Sequence, residues 1–240
     1  MAGLAPLPGI CSESDRFGVA VAGSIDGYDV GLLHTGWYHS FTVLGAPPRP
    51  AGMWYAQTIR LSGDGPLADR ACSACPTWET LRGIAQANPG SLWIIGNEPD
   101  RQDGPLYAKD YAKLYHEFYT FLKAEDPTCS VGIGGVVQTT PIRLQYLDQI
   151  LTAYQTAYGM AMPIDVWNVH HYILREKQWY PGCPDCSGGG IPPGTKPDLG
   201  ILYEVSEHDM LDPSPDPEHP EKLGWKQHLV EMRRWMRDRG

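Results

Sequence analysis

Residues 91–100 read SLWIIGNEPD, an apolar run that ends in Gly96-Asn97-Glu98-Pro99 and then turns polar. A carboxyl group carried at the C-terminal end of a buried strand sits where apolar walls can raise its pKa toward that of a general acid. Glu98 is therefore the first candidate for acid–base chemistry. The competing role is electrostatic, because an acidic side chain ahead of a helix opposes the helix dipole, and Asp100 suits that role better than Glu98. A second group ends the run 164–172 (IDVWNVHHY), where a period of two puts His170 and Tyr172 on one strand face and His171 on the other. His170 and Tyr172 are the expected pocket pair, hydrogen-bonding a substrate or a second carboxylate. A histidine satisfied by backbone groups is the alternative, and for His171 it is the preferred one.

Cysteine supplies a separate signal. Cys72-Ser-Ala-Cys75 and Cys183-Pro-Asp-Cys186 are two CxxC pairs in segments that follow strand patterns. Together they could hold a structural zinc tetrahedrally, although their separation is far from that of a zinc ribbon. Disulfides in an exported protein are the alternative. Such a zinc would staple a loop and leave no open position, so no cofactor is expected for catalysis. Cys11 and Cys129 read as buried thiols. The chain contains no P-loop, no GxGxxG and no Gly-x-Ser-x-Gly, which leaves phosphate, dinucleotide and serine-hydrolase chemistry without support.

Composition narrows the partners. The 240 residues carry 28 acidic against 19 basic side chains, a formal charge of -9, which argues against nucleic acid or an anionic membrane as partner. No stretch approaches the roughly 18 apolar residues that a membrane helix needs. Eight Trp and 13 Tyr stand against only 4 Phe, a balance suited to stacking on something amphipathic such as a sugar ring. Trp37, Tyr38 and Trp54, near the ends of strand patterns, are the candidate platforms. The opening MAGLAPLPGI lacks the basic region of an export signal, so the location is cytoplasmic unless a signal has been removed, in which case it is extracellular.

The elements that must position these groups alternate. Strand patterns at 17–23, 37–43, 53–61, the run that carries Glu98, 131–137 and 164–172 are interleaved with helical patterns at 77–87, 106–123 and 143–158. Residues 173–220 break the pattern with Pro, Gly and acidic groups, and a segment of that length is expected to be a functional rim insertion. A last helix, 221–239, should bury Trp225, Leu229, Met232 and Met236. Strand followed by helix implies a parallel α/β sheet. An open doubly wound sheet is one closure. The favoured one is a single (β/α)8 TIM-barrel domain over residues 1–240, present as about six βα units and truncated before strand seven. Its open edges and apolar interior would favour self-association.

The residues also carry a family resemblance. Gly96-Asn97-Glu98-Pro99-Asp100 at the end of the fourth strand, Trp37-Tyr38 on the second, Met53-Trp54 on the third and His170-His171-Tyr172 ending the sixth resemble the clan A retaining barrel glycoside hydrolases. The match is closest to the Asl1-like glycosyl hydrolase catalytic core, a group associated with β-1,3-glucan cleavage. The resemblance implies that Glu98 protonates a glycosidic oxygen and later deprotonates water, while Asn97 holds the 2-hydroxyl of the sugar. It also implies a nucleophilic Glu ending strand seven, about 5 to 5.5 Å from the acid/base, and that residue is expected to lie outside this chain. A carbohydrate-binding barrel without catalysis is the opposing expectation, and a zinc or redox module on the four cysteines is a third.

Overall fold

Short β-branched and aromatic runs form parallel strands in the computed structural model, which describes residues 16–61, 76–101, 106–172, 174, 176, 190–195 and 225–239. Two compact units are drawn from the chain. The first takes Met1–Asn97, Tyr115–Gly134 and Pro163–Asn168, and the second takes Glu98–Leu114, Gly135–Met162 and Val169–Gly240.

Strands β1 (Gly18–Ala20), β2 (Trp37–His39) and β3 (Trp54–Tyr55) make one sheet, and β4 (Gln57–Ile59), β5 (Leu92–Asn97) and β6 (Ser130–Gly135) make another. Every registered pair is parallel, with Trp37 between Gly18 and Trp54, and Gln57 beside Trp93. Hydrogen bonds from Ser130 N–H to the Ser91 carbonyl and from Glu98 N–H to the Gly135 carbonyl run β6 in the same direction as β5. Neighbours in the chain are thus neighbours in the sheets. A doubly wound sheet reverses its strand order at a switch point, and no reversal occurs among the described strands.

The strand expected at 53–61 is two strands. Ala56 N–H still donates to the Tyr38 carbonyl, whereas Thr58 N–H turns to that of Thr42, and β4 pairs with β5 instead of β2. One run serves two neighbours, and the break lies where it changes partner. The expected strand 164–172 shortens to two parallel bridges, Gly132 to Val166 and Val136 to Val169. Four residues on one side match three on the other, so the ladder cannot stay in register, as at a bulge. Strand pairing is tightest at Gly134, where a Cβ would lie 2.6 Å from the Ile95 carbonyl oxygen.

The face of β1 to β3 that carries Val19, Tyr38 and Tyr55 packs with Val21, Ile25, Val30 and Met53 into the core of the first unit. Helix α1 (Trp78–Ala87) starts where Thr77 Oγ1 accepts from Thr80 N–H at 3.1 Å and buries Leu81, Ile84 and Ala85. Helix α2 (Ala108–Glu125) buries the whole stripe Tyr111, Leu114, Tyr115, Phe118 and Leu122 that its periodicity marks. Within the first unit Lys123 and Val131 N–H both meet Asp165, at 2.7 and 2.8 Å. Cys129 is a buried free thiol, as its sequence context suggests, and burial pushes it up to about 11.

In the second unit, α3 (Pro141–Tyr158) opens on Pro141, whose missing N–H costs nothing at a first helical position. It closes on Gly159 at φ 69°, a left-handed stop that glycine adopts without strain. Helix α4 (Trp225–Asp238) buries only part of the expected face. His228, Met232 and Trp235 are buried, while Leu229 is exposed. Met232 is buried as expected and Met236 is half-buried; Trp235 Nε1 donates to Asp148 at 3.1 Å, and Arg239 clasps the same carboxylate. The side chain of Trp225 lies outside the description. Among the described residues no helix is long and apolar enough to cross a membrane.

Candidate active site

Glu98 immediately follows the C-terminal end of β5, and its backbone is held at φ 48°, a left-handed conformation uncommon for any residue but glycine. The cause is local. Glu98 N–H is committed to Gly135, and the chain then turns so that Arg101 N–H reaches the Glu98 carbonyl at 3.1 Å. Strain of this kind costs on the order of 1–3 kcal/mol, and it collects where surroundings over-determine a functional pose.

The turn leaves the Glu98 side chain 8% exposed and bracketed. His170 Nδ1 lies 2.8 Å from Oε1, and Arg101 Nη1 donates to Oε2 at 3.1 Å. His170 itself is fixed by donating its backbone N–H to the Val136 carbonyl at 2.9 Å. The Tyr172 ring stands edge-on to it, with centroids 5.8 Å apart and planes at 86°, and remains exposed. His171 turns away from this pair, toward His228 at 6.1 Å.

The expected raised pKa for Glu98 is corrected. Burial opposes ionisation, but the hydrogen bonds and positive charge of His170 and Arg101 outweigh it, so the carboxyl is held below its ordinary value. Apolar walls alone would act in the other direction; the two donors change the sign. In the resting protein Glu98 is a carboxylate, the base form, and His170 Nδ1 is the nearest group with which Oε1 can share a proton. Since the folded value is depressed, ionised Glu98 stabilises the fold above the unfolded carboxyl's pKa, and that contribution fades as pH falls through the folded value. Removing the Arg101 charge with Arg101→Met should raise the Glu98 titration, followed by carboxyl-carbon NMR. The stability gap between wild type and variant should be widest near neutrality and close in acid. An unmoved Glu98 titration would mean that the Arg101 contact is not held in solution.

The helix-capping role expected of Asp100 is also corrected. Asp100 is fully buried, accepts the Val137 N–H at 3.2 Å and forms an ion pair with Arg143, which is likewise fully buried on α3. Arg143 grips Glu176 with two bonds of 2.8 Å and donates to the Gly190 carbonyl at 2.9 Å. Burial disfavours the guanidinium charge, but the two carboxyl groups more than offset this and push its pKa above the ordinary value. Arg143, Glu176 and Gln138 escape a sequence pattern search because their partners are 33 to 47 residues apart. One sign was available: an Arg in the first turn of a helix opposes the dipole and calls for a carboxylate.

Asn97, half-buried, is the last residue of β5 and belongs to the first unit, as do Trp37, Tyr38 and Trp54. The Trp37 ring lies against Gly18, where no Cβ would fit. Trp54 is 40% exposed with the Arg49 guanidinium 5.6 Å from its ring centre. Tyr38 does not offer the stacking face expected of it: it is 1% exposed, and its hydroxyl donates to the Pro48 carbonyl at 2.6 Å. Burial pushes that hydroxyl up to about 12. A cavity of about 310 Å³ in the first unit is lined by Tyr38 with Ser24, Ser40, Thr42 and Pro48. Cys72, Cys75, Cys183 and Cys186 lie outside the described residues, as do Cys11 and all of 173–220 except 174, 176 and 190–195. Among the described residues no group of three or more candidate ligands could hold a metal.

Similar solved structures include GH128 proteins. A GH128 (subgroup II) endo-β-1,3-glucanase from Pseudomonas viridiflava is 19% identical, over 65% of this chain and 60% of that one, with a TM-score of 0.49. The corresponding protein from Sorangium cellulosum is 20% identical, over 64% of this chain and 59% of that one, at 0.45. A GH128 (subgroup VII) oligosaccharide-binding protein from Trichoderma gamsii is 12% identical, over 79% and 93%, at 0.35. This chain therefore spans about 60% of the length of the two glucanases. No family model and no curated protein matches it.

Proposed function

We propose that the protein is a glycoside hydrolase of (β/α)8-barrel type that cleaves a polysaccharide or oligosaccharide, with Glu98 as the acid/base. One observation carries the reading: a buried carboxylate, held in a left-handed backbone turn at the C-terminal end of a parallel strand, with a histidine on one oxygen. Active sites of parallel barrels are built at that end of the strands. The sequential order of the parallel strands supports that architecture. In the forward step the proton on Glu98 would pass to the glycosidic oxygen as the glycosidic C–O bond breaks and the anomeric carbon bonds to a second carboxylate, as retention requires; in the return step the Glu98 carboxylate would take a proton from the water that displaces that second carboxylate. His170 keeps Oε1 oriented. Asn97, as the residue before the acid/base, is proposed to hold the 2-hydroxyl, with Tyr172 as an exposed contact for a sugar.

A β-glucan is the proposed substrate class, supported by the Gly96–Asp100 motif. Incubation with β-1,3- and β-1,4-linked oligosaccharides, with the product anomer read by proton NMR, tests both parts. The proposal predicts cleavage with retained configuration by a protein that supplies the second, nucleophilic carboxylate. An inverted product would replace the mechanism, and absence of cleavage would replace the activity.

The second reading, a carbohydrate-binding protein without catalysis, is favoured by one observation: Arg101 holds Glu98 ionised, which a resting acid does not need. Calorimetric binding of the same oligosaccharides without product formation is its signature. A structural zinc on the four cysteines remains a proposal from their spacing, and metal analysis of the purified protein tests it.

A further inference from the structure

Two segments deliver the Glu98–His170 pair, and one buried network ties down both. Asp100 lies two residues beyond Glu98, inside the turn that sets its φ of 48°, and is anchored by Arg143 and the Val137 N–H. Glu176 lies six residues beyond His170 and meets the other side of the same guanidinium. Gln138 completes the tie. Its side chain donates to the Leu174 carbonyl at 2.8 Å and to Glu176 at 2.6 Å, and accepts the Leu174 N–H at 2.9 Å. Thr140, the residue before α3, gives its hydroxyl to Glu176 at 2.6 Å instead of capping the helix.

We propose that Arg143 is a positioning residue for Glu98, holding it against His170 by bridging Asp100 and Glu176, an inference that rests on Glu98 being the acid/base. Helix α3 could be packed against these segments with apolar side chains at no loss of stability, because a buried ion pair gains little over well-packed hydrophobic residues. What apolar packing cannot do is fix direction. A planar guanidinium bonded on both edges sets the relative placement of its two partners, and Arg143 spends all three nitrogens in this way. The strain at Glu98 needs such a clamp, since a free turn would relax toward negative φ. Displacement of a reacting group by about 1 Å can cost roughly 10²-fold in rate.

Arg143→Lys in the full chain is the test. It keeps the charge but loses the planar fork, so it cannot bridge two carboxyl groups with the same geometry. With folding checked by circular dichroism, two readouts are followed: the Glu98 carboxyl titration by carbon NMR, and kcat and KM on a β-glucan oligosaccharide. The expected result is a rise in the Glu98 titration, as its contacts with His170 and Arg101 loosen. A fall of about 10²-fold in kcat with KM within about threefold should accompany it. A folded variant with both readouts unchanged overturns the proposal. If Arg143→Lys does not fold, Asp100→Asn, which keeps the shape and weakens only the tie to Arg143, is judged by the same two readouts. The titration needs no turnover, so a finding that Glu98 is not catalytic leaves this question separately answered.

Discussion

Glu98→Gln should lower turnover of an unactivated β-glucan by roughly 10²- to 10⁴-fold, the usual worth of a positioned acid/base. Binding should change little. The amide has the size of the carboxyl group; its oxygen can accept from Arg101, and its nitrogen can donate to Nδ1 of a neutral His170. The left-handed backbone is asked of the same type of side chain, so no new strain is introduced at φ 48°. Steady-state kinetics beside calorimetric binding separates the outcomes. Loss of kcat with intact affinity supports acid–base work by Glu98. Equal turnover by variant and wild type would move the chemistry elsewhere, and binding without turnover by both, in a protein that supplies the second carboxylate, would favour the binding protein.

The second large effect is on stability. Arg143→Met removes the cation that pairs with Asp100 and Glu176, each of them fully buried. Breaking a buried ion pair by deleting one partner costs about 3–5 kcal/mol, because the remaining charge has neither water nor a counter-ion. Urea denaturation should register that loss as a lower midpoint with an unchanged slope. Replacing Asp100, Arg143 and Glu176 together by Asn, Met and Met should recover most of it, since no charge is then left unpaired. Recovery without return of activity would separate the network's part in folding from its part in placing Glu98. A midpoint for Arg143→Met within about 1 kcal/mol of wild type would mean that water reaches these groups in solution.

Local chemistry made some elements readable. The β5 run announces itself by an unbroken apolar stretch ahead of Gly96, and α1 by Thr77 at its cap and Asn88 after its last turn. The stripe on α2 is visible because five large apolar residues repeat at helical spacing. The split at Ala56 is not, since the break depends on which strand each half meets. On α4 the apolar pattern finds Met232 but not His228 or Trp235, whose burial it does not mark, and it misplaces Leu229, which is exposed.

The site divides in the same way. Strand periodicity separates His170 and Tyr172 from His171 without reference to any neighbour. The ionisation of Glu98 could not be read so simply. Arg101 stands three residues away in every conformation of the chain, but only the left-handed turn brings its guanidinium onto Oε2. Asp100 looked like a helix cap because nothing local reveals that its partner is Arg143, 43 residues later.

The most direct test of Glu98 as acid/base is chemical rescue of Glu98→Gly by azide. Glycine suits φ 48°, so the turn should survive while the carboxyl group is lost. With an aryl β-glucoside or laminaribioside whose leaving group needs no protonation, azide should raise the rate and give a β-glycosyl azide of retained configuration. A variant that azide leaves unaffected, on a substrate the wild type cleaves, would contradict that role for Glu98.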